Sequence, residues 1–315
     1  RLSEDCALDG HEMRPFAIAC LVSLVSLAQA GLDLAAQSSR FRSQVAAVRV
    51  DALVTSGRRP VTGLTAANFE LRDNGVLQTI TDVHHEMLPL NVVCAFDVSG
   101  SVAGVPLGHL KEGLRGVISA LGADDRAALL TFADRIQLHS ALTADRPRLR
   151  ALADTVTAGG TTSLFDAVFA ALALRETDAG RTLLLLFTDG RDTASWLAAR
   201  KLVESARLTD VVIYPVTIRS IPLVMFNGRE RSTQRSEPSE RLLDALADET
   251  GGRVVFASDE AALERTFLEV LSEFRQRYVI SYTPTGVSDT GWHTTEVKLR
   301  GKSGEVRARR GYFAR

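Results

Sequence analysis

Leu90-Asn91-Val92-Val93-Cys94-Ala95-Phe96-Asp97-Val98-Ser99-Gly100-Ser101 is the stretch on which the fold turns. Residues 90–96 form an apolar run that reads as a buried strand. The run ends in one carboxylate and two hydroxyls, Asp97, Ser99 and Ser101, spaced two residues apart on a tight loop. Hard oxygen donors of this kind suit a small divalent cation such as Mg2+, which takes near-octahedral oxygen geometry and keeps several waters. An Asp-x-Ser-x-Ser triplet is a weak signal by itself. Two further pieces follow in order: Gly159-Gly160-Thr161-Thr162-Ser163-Leu164, and Thr188-Asp189-Gly190 directly after the apolar run 183–187.

Outward from this stretch, apolar strands alternate with helices from 90 to 274. Pro106 opens a helix whose Leu107, Leu110, Leu114, Val117, Ile118 and Leu121 share one face, and Gly122 can close it. Residues 127–132 and 136–138 read as an edge hairpin, followed by a helix around Leu149 and Leu152 and another carrying Leu164, Phe165, Val168 and Leu172. The unbroken run 183–187 implies burial on both faces, as in a parallel sheet covered by helices. A helix over 194–207, a strand over 211–218, a helix over 240–249 stopped by Gly251-Gly252, a strand over 254–256 and a helix with Leu263, Phe267, Val270, Leu271 and Phe274 on one stripe complete the series. The expected fold class is α/β, a doubly wound, mostly parallel Rossmann-like sheet. Ligands of such folds sit beyond the carboxyl ends of the strands, where all three loops fall.

The flanks have period two instead. Val48, Val50, Ala52 and Val54 alternate with Arg49, Asp51, Leu53 and Thr55, and Asn74-Gly75 supplies the positive φ angles of a tight hairpin. Alternation returns at Tyr278, Ile280 and Tyr282, then Thr295, Val297 and Leu299. Neither flank has enough strands for a two-layer core, so they are expected to form one small β domain together. The domain reading is 1–30 upstream extension and signal peptide, 41–88 N-terminal β segment, 89–274 α/β domain, and 275–315 C-terminal β segment packed with 41–88. The polar stretch 219–239 reads as a surface loop.

The three loops together resemble the metal-ion-dependent adhesion site of von Willebrand factor type A (VWA) domains. The resemblance implies metal ligands at Asp97, Ser99, Ser101, Thr162 and Asp189, with Asp189 acting through water. Thr162 is preferred because it lies two residues before the helix-starting Leu164, and Thr161 stays open as the alternative. Thr250-Gly251-Gly252, Tyr282-Thr283-Pro284 and Arg310-Gly311-Tyr312-Phe313 further resemble the bacterial secreted VWA-related proteins frequent in acidobacteria. The family implies non-catalytic adhesion: Mg2+, with Mn2+ or Ca2+ as alternatives, bridges to an Asp or Glu carboxylate of a protein partner. Taken singly, each residue reads as turn chemistry instead, and a scaffold with an empty site is the competing expectation. On a surface loop, Asp97 reads as removable without harm to the fold.

At 315 residues and 45% hydrophobic content the chain can bury a substantial core. With 37 Lys+Arg against 38 Asp+Glu it lacks the basic field that drives nucleic-acid binding. Met13-Arg14-Pro15, the apolar run 16–27 and Ala28-Gln29-Ala30 read as a secretory signal peptide, too short in its apolar part for an ordinary span, so a periplasmic or extracellular location is expected. Membrane contact would come only through that segment if uncleaved. Residues 1–12 read as lying upstream of the true start. Cleavage after Ala30 leaves Cys94 as the only cysteine and no disulfide. An enzyme is not expected: no Gly-x-Ser-x-Gly, Gly-x-Gly-x-x-Gly or P-loop is present, and His84, His85, His109, His139 and His293 are scattered.

Overall fold

The computed structural model describes residues 47–57, 59–85, 88–176, 181–188, 191–218, 225–226, 229–230 and 238–314. The signal-peptide reading at 13–30, Asp189 with Gly190, and most of the 219–239 loop lie outside them. In chain order the strands β1 (Val48–Ser56), β2 (Arg59–Pro60), β3 (Phe69–Asp73), β4 (Val76–Gln78) and β5 (Ile80–His84) come first. The α/β series follows: β6 (Leu90–Asp97), α1 (Val105–Ala120), β7 (Arg126–Phe132), β8 (Ile136–Thr143), α2 (Arg146–Thr155), α3 (Leu164–Leu172), β9 (Arg181–Phe187), α4 (Ala199–Arg207) and β10 (Val212–Ile218). Beyond it lie the short pair β11 (Met225–Phe226) and β12 (Arg229–Glu230), then α5 (Pro238–Thr250), β13 (Val255–Ala257), α6 (Leu263–Arg275), β14 (Tyr278–Tyr282), β15 (Gly291–Leu299), β16 (Glu305–Ala308) and β17 (Gly311–Ala314).

Strand β6 is buried at every residue because it runs through the middle of the main sheet, whose order is β13-β10-β9-β6-β7-β8. All neighbours pair in parallel except the edge strand β8, which is antiparallel to β7. Its alternate side chains divide between two cores. Leu90, Val92, Cys94 and Phe96 pack with α1, α2 and α6, while Val93 and Ala95 pack with α3, α4 and α5. Three helices on each face make the domain doubly wound. At roughly 1.5–3 kcal/mol for each fully buried Leu, Val or Phe, these two cores are the main source of stability. Burial also pushes the Cys94 thiol up to about 12, so it packs as a small hydrophobe.

Two helix boundaries differ from the sequence expectation. Helix α4 begins at Ala199, five residues after the expected Ala194, because the Trp196 and Leu197 N–H groups donate to the Asp166 carboxylate at 3.0 and 2.9 Å. That contact holds 191–198 as a loop against the start of α3. Gly122 does not close α1 through a left-handed cap; Leu121 ends the helix in extended geometry and the Gly122 N–H donates to Asp125. Gly251-Gly252 does stop α5, with Gly251 at φ 80°. A Cβ on Gly252 would lie 1.9 Å from the Ile213 carbonyl oxygen. Gly252→Ala should therefore lower stability by about 3 kcal/mol, read as a drop in the urea midpoint with unchanged slope, and an unchanged midpoint would refute this close approach.

Strands from the two ends of the chain share two further sheets, β16-β1-β14-β5 with β2 beside β1, and β17-β15-β3-β4. β1 pairs antiparallel with β14 and β16, and β3 with β15. Val50, Ala52, Val54, Phe69, Leu71, Tyr278, Ile280 and Tyr282 fill the space between them. Asn74 at φ 47° and Gly75 at φ 80° make the β3–β4 turn. His293 is not a surface base: fully buried in this layer, it bonds Asp73 through Nδ1 at 2.7 Å, and Tyr282 and Tyr312 hydroxyls donate to the same carboxylate at 2.7 and 2.8 Å.

The β layers meet the α/β domain through buried charge. Arg277, 1% exposed, bonds Asp51 of β1 and donates to the Tyr214 hydroxyl of β10 at 3.1 Å and to the Arg307 carbonyl at 3.3 Å. Asp125 accepts from the Leu90 N–H at 2.8 Å and from the Arg275 guanidinium at 2.5 Å, joining the first residue of β6 to the last of α6. Burial opposes its charge, but these donors hold its pKa below the usual carboxylate value. Among the described residues no helix is long and apolar enough to cross a membrane.

Candidate metal site

Asp97 is the last residue of β6, and the loops after β6 and β9 and before α3 meet at this carboxyl edge. Contrary to the expectation of a surface group, Asp97 is fully buried. Its Oδ1 accepts from the Ser99 N–H at 2.9 Å and its Oδ2 from the Thr188 hydroxyl at 3.0 Å. Both bonds orient the carboxylate. The Ser99 and Ser101 hydroxyl oxygens lie 3.2 Å apart, Ser99 buried and Ser101 exposed.

The second loop is stitched to the first by its backbone. Gly100 N–H donates to the Gly160 carbonyl at 3.0 Å and Gly159 N–H to the Val98 carbonyl at 2.8 Å. Gly160 has φ 87°, and a Cβ there would lie 2.5 Å from Asp134 Oδ1, so glycine lets the Asp134 carboxylate of the β7–β8 turn come down on this loop. Thr162 is buried and Thr161 exposed. The Thr162 carbonyl accepts from the Thr193 and Ala194 N–H groups at 2.9 and 3.0 Å, and its own N–H donates to the Thr193 hydroxyl at 3.0 Å, tying the second loop to the third. The structure thus brings Asp97, Ser99 and Ser101 together and joins the Thr162 loop to them, while Asp189 lies outside the described residues.

Sequence reasoning passed over the residues that brace the loops. Thr188 stood in the quoted motif without a role, yet it orients Asp97. Asp192 lies close to Asp189 in sequence, but its Oδ1 accepts from the Phe165 N–H at 3.3 Å and the Ser195 hydroxyl at 2.5 Å, so it caps α3. Ser195 Oγ in turn accepts from the Phe165 and Asp166 N–H groups. An acidic residue in a first helical turn, as Asp166 is in α3, favours the helix dipole, and that is the one local signal these residues carried.

The donor set fits a small hard cation. Two oxygens bound side by side on Mg2+ at about 2.1 Å lie about 3 Å apart, close to the Ser99–Ser101 separation. Among the described residues no three His, Cys, Asp or Glu side chains gather as metal ligands. Of the described histidines, His139 bonds Thr131 and His293 bonds Asp73, while His84 pairs with Asp82, His109 with Glu112 and His85 packs on the Tyr278 ring.

Several solved structures are similar to this chain at low identity. A von Willebrand factor type A protein from Catenulispora acidiphila is 14% identical with a TM-score of 0.50, covering 79% of this chain and 73% of that one. Proximal thread matrix protein 1 from the mussel byssus, with a zinc-occupied MIDAS motif, is 18% identical with a TM-score of 0.49, over 64% of this chain and 49% of that one. The conserved hypothetical protein BatB from Bacteroides thetaiotaomicron is 15% identical with a TM-score of 0.45, over 58% of this chain and 98% of that one. No curated protein matches the chain in sequence. The sequence profile of the von Willebrand factor type A domain matches residues 91–269, more than half of the chain and the whole run from β6 into α6, and the protein belongs to that family.

Proposed function

We propose that the protein is an exported, non-catalytic binding protein of the secreted bacterial VWA-related type, which holds a divalent cation in its three loops and binds a partner carboxylate there. The observation that carries this reading is the buried Asp97 carboxylate, aimed by Ser99 N–H and Thr188 Oγ1, beside two hydroxyls at a spacing a hard cation accepts. Asp97, Ser99, Ser101, Thr162 and Asp189 form the ligand set, with Mg2+ the first choice and Mn2+ or Ca2+ the alternatives. A cation bound among so few carboxylates keeps excess positive charge and attracts an anionic partner group. The chain's own part is to hold the donors still: the backbone bonds among the described loop residues set the positions of Asp97, Ser99, Ser101 and Thr162 before anything binds. Export rests on the sequence at 13–30.

Calorimetric titration of Mg2+ into the full chain tests the reading, with saturable heat expected and its absence counting against the site. Thr162→Val and Thr161→Val separate the two threonines. Thr162 is buried next to the bonded third loop and Thr161 faces solvent, so Thr162→Val should weaken Mg2+ about tenfold or more while Thr161→Val leaves it unchanged. The reverse outcome would move the ligand to Thr161. A partner that stays bound in chelator would instead favour a metal-independent scaffold.

A further inference from the structure

We infer that Arg181 holds a small monovalent anion of the chloride type where the α/β domain meets the β layers, on the guanidinium edge formed by Nε and Nη2. Arg181 opens β9, and its N–H donates to the Pro89 carbonyl at 3.3 Å, beside the chain that enters β6. Its side chain is 9% exposed. Nη1 donates to Asp51 Oδ2 at 3.5 Å and to the Arg277 carbonyl at 3.3 Å, and the Phe274 ring lies against the guanidinium at 5.2 Å. Nε and Nη2 are buried and have no hydrogen-bond partner among the described residues. Buried N–H groups left unpaired are rare in folded proteins, because each has given up its water and gained nothing in return.

The two orphaned groups are not an arbitrary pair. Nε–H and one Nη2–H of a guanidinium run parallel and make its bidentate edge toward anions. Two other arginines of this chain use that edge on a carboxylate: Arg207 grips Glu249 through Nε at 3.0 Å and Nη2 at 2.8 Å, and Arg253 grips Glu273 through Nε at 3.0 Å and Nη2 at 2.7 Å. Arg181 presents the same edge with no carboxylate on it among the described residues. The local charge also calls for an anion. Arg181, Arg277 and Arg275 lie near enough for their charges to oppose one another, and they share two carboxylates, Asp51 with Arg181 and Arg277, and Asp125 with Arg275. One positive charge of this group is left over, and an arginine does not shed its proton to relieve it. A single negative charge balances it. Burial selects a small anion that gives up its hydration readily, and so disfavours phosphate or sulfate.

The test needs no cation at the loops and uses the full chain in Mg2+-free buffer. Replacing sodium gluconate by sodium chloride at a constant ionic strength of about 0.2 M should raise the thermal midpoint of the unaltered protein by about 3 °C. Arg181→Met, which has no guanidinium, should show no rise, and in gluconate it should melt no lower than the unaltered protein. Arg181→Lys keeps the charge and loses the paired edge, so it too should show no rise. An equal rise in Arg181→Met would be a general salt effect and would overturn the site, as would the absence of a rise in the unaltered protein. A rise kept in Arg181→Lys would assign the effect to charge alone and overturn the edge. Crystals of the unaltered protein soaked in bromide supply a readout that does not depend on how the variants fold. An anomalous peak within about 3.5 Å of both Nε and Nη2 is expected, and a bare edge overturns the proposal.

Discussion

Asp97→Asn should abolish saturable Mg2+ binding while the protein stays folded. The amide is close in shape to the carboxylate and keeps an oxygen for the Ser99 N–H, and the Thr188 hydroxyl can turn to accept from the new NH2 group. Loss of stability should therefore stay near 1 kcal/mol. Metal affinity depends on the ligand charge that this change removes, and should fall by ~100-fold or more. Asp97→Ala is the poorer test: it strands a buried N–H and a buried hydroxyl and should cost about 2–3 kcal/mol. Calorimetry and thermal melting of both variants, with and without Mg2+, separate the two effects. Undiminished Mg2+ heat in Asp97→Asn would remove Asp97 from the ligand set.

Arg277→Met and Arg181→Met should differ sharply in stability although both remove a buried arginine beside Asp51. Burial would lower the Arg277 pKa, but Asp51 and Tyr214 reverse this and raise it, so the charge is well compensated. Without Arg277, Asp51 keeps Arg181, 3.5 Å away, as its one cationic partner among the described residues, and the loss should be about 3–5 kcal/mol. Arg181 is a different case. Its Nε and Nη2 are buried without a hydrogen-bond partner among the described residues, its guanidinium lies 5.2 Å above the Phe274 ring, and burial lowers its pKa, with Arg277 and Arg275 adding to the fall against Asp51. A methionine keeps the contact with the ring and removes two orphaned donors, so Arg181→Met should be neutral or stabilising by about 1 kcal/mol. Urea unfolding of both variants decides it: equal losses would make Arg181 a needed counter-charge for Asp51.

The alternation of strands and helices was legible because continuous apolar runs such as 183–187 can be satisfied only between two helical layers, and the Asn74-Gly75 turn was legible because its backbone angles need those residues. Asp97, Ser99 and Ser101 were legible because their ligand spacing is local. The start of α4 was not, since the Asp166 carboxylate that ends the loop comes from 30 residues earlier and no local breaker marks it. Nor were the burial of Arg277 and His293: a charged residue between Phe274 and Tyr278, or within a strand, looks like one facing solvent until the Tyr214 and Asp73 partners are placed beside it. Tertiary contacts of this kind leave no periodicity to read.

The bonds of Asp125 to Leu90 and Arg275 have a mechanical consequence. They gather both covalent connections of the α/β domain at the amino end of β6, whereas the metal loops lie at its carboxyl end, about 23 Å further along the strand. Tension from a partner seated on the loops would run lengthwise down β6 and divide between two tethers that leave side by side. β6 is flanked by parallel β7 on one side and parallel β9 on the other, so pulling it out means shearing two ladders at once. The fold resists traction in the direction in which its proposed ligand would apply it.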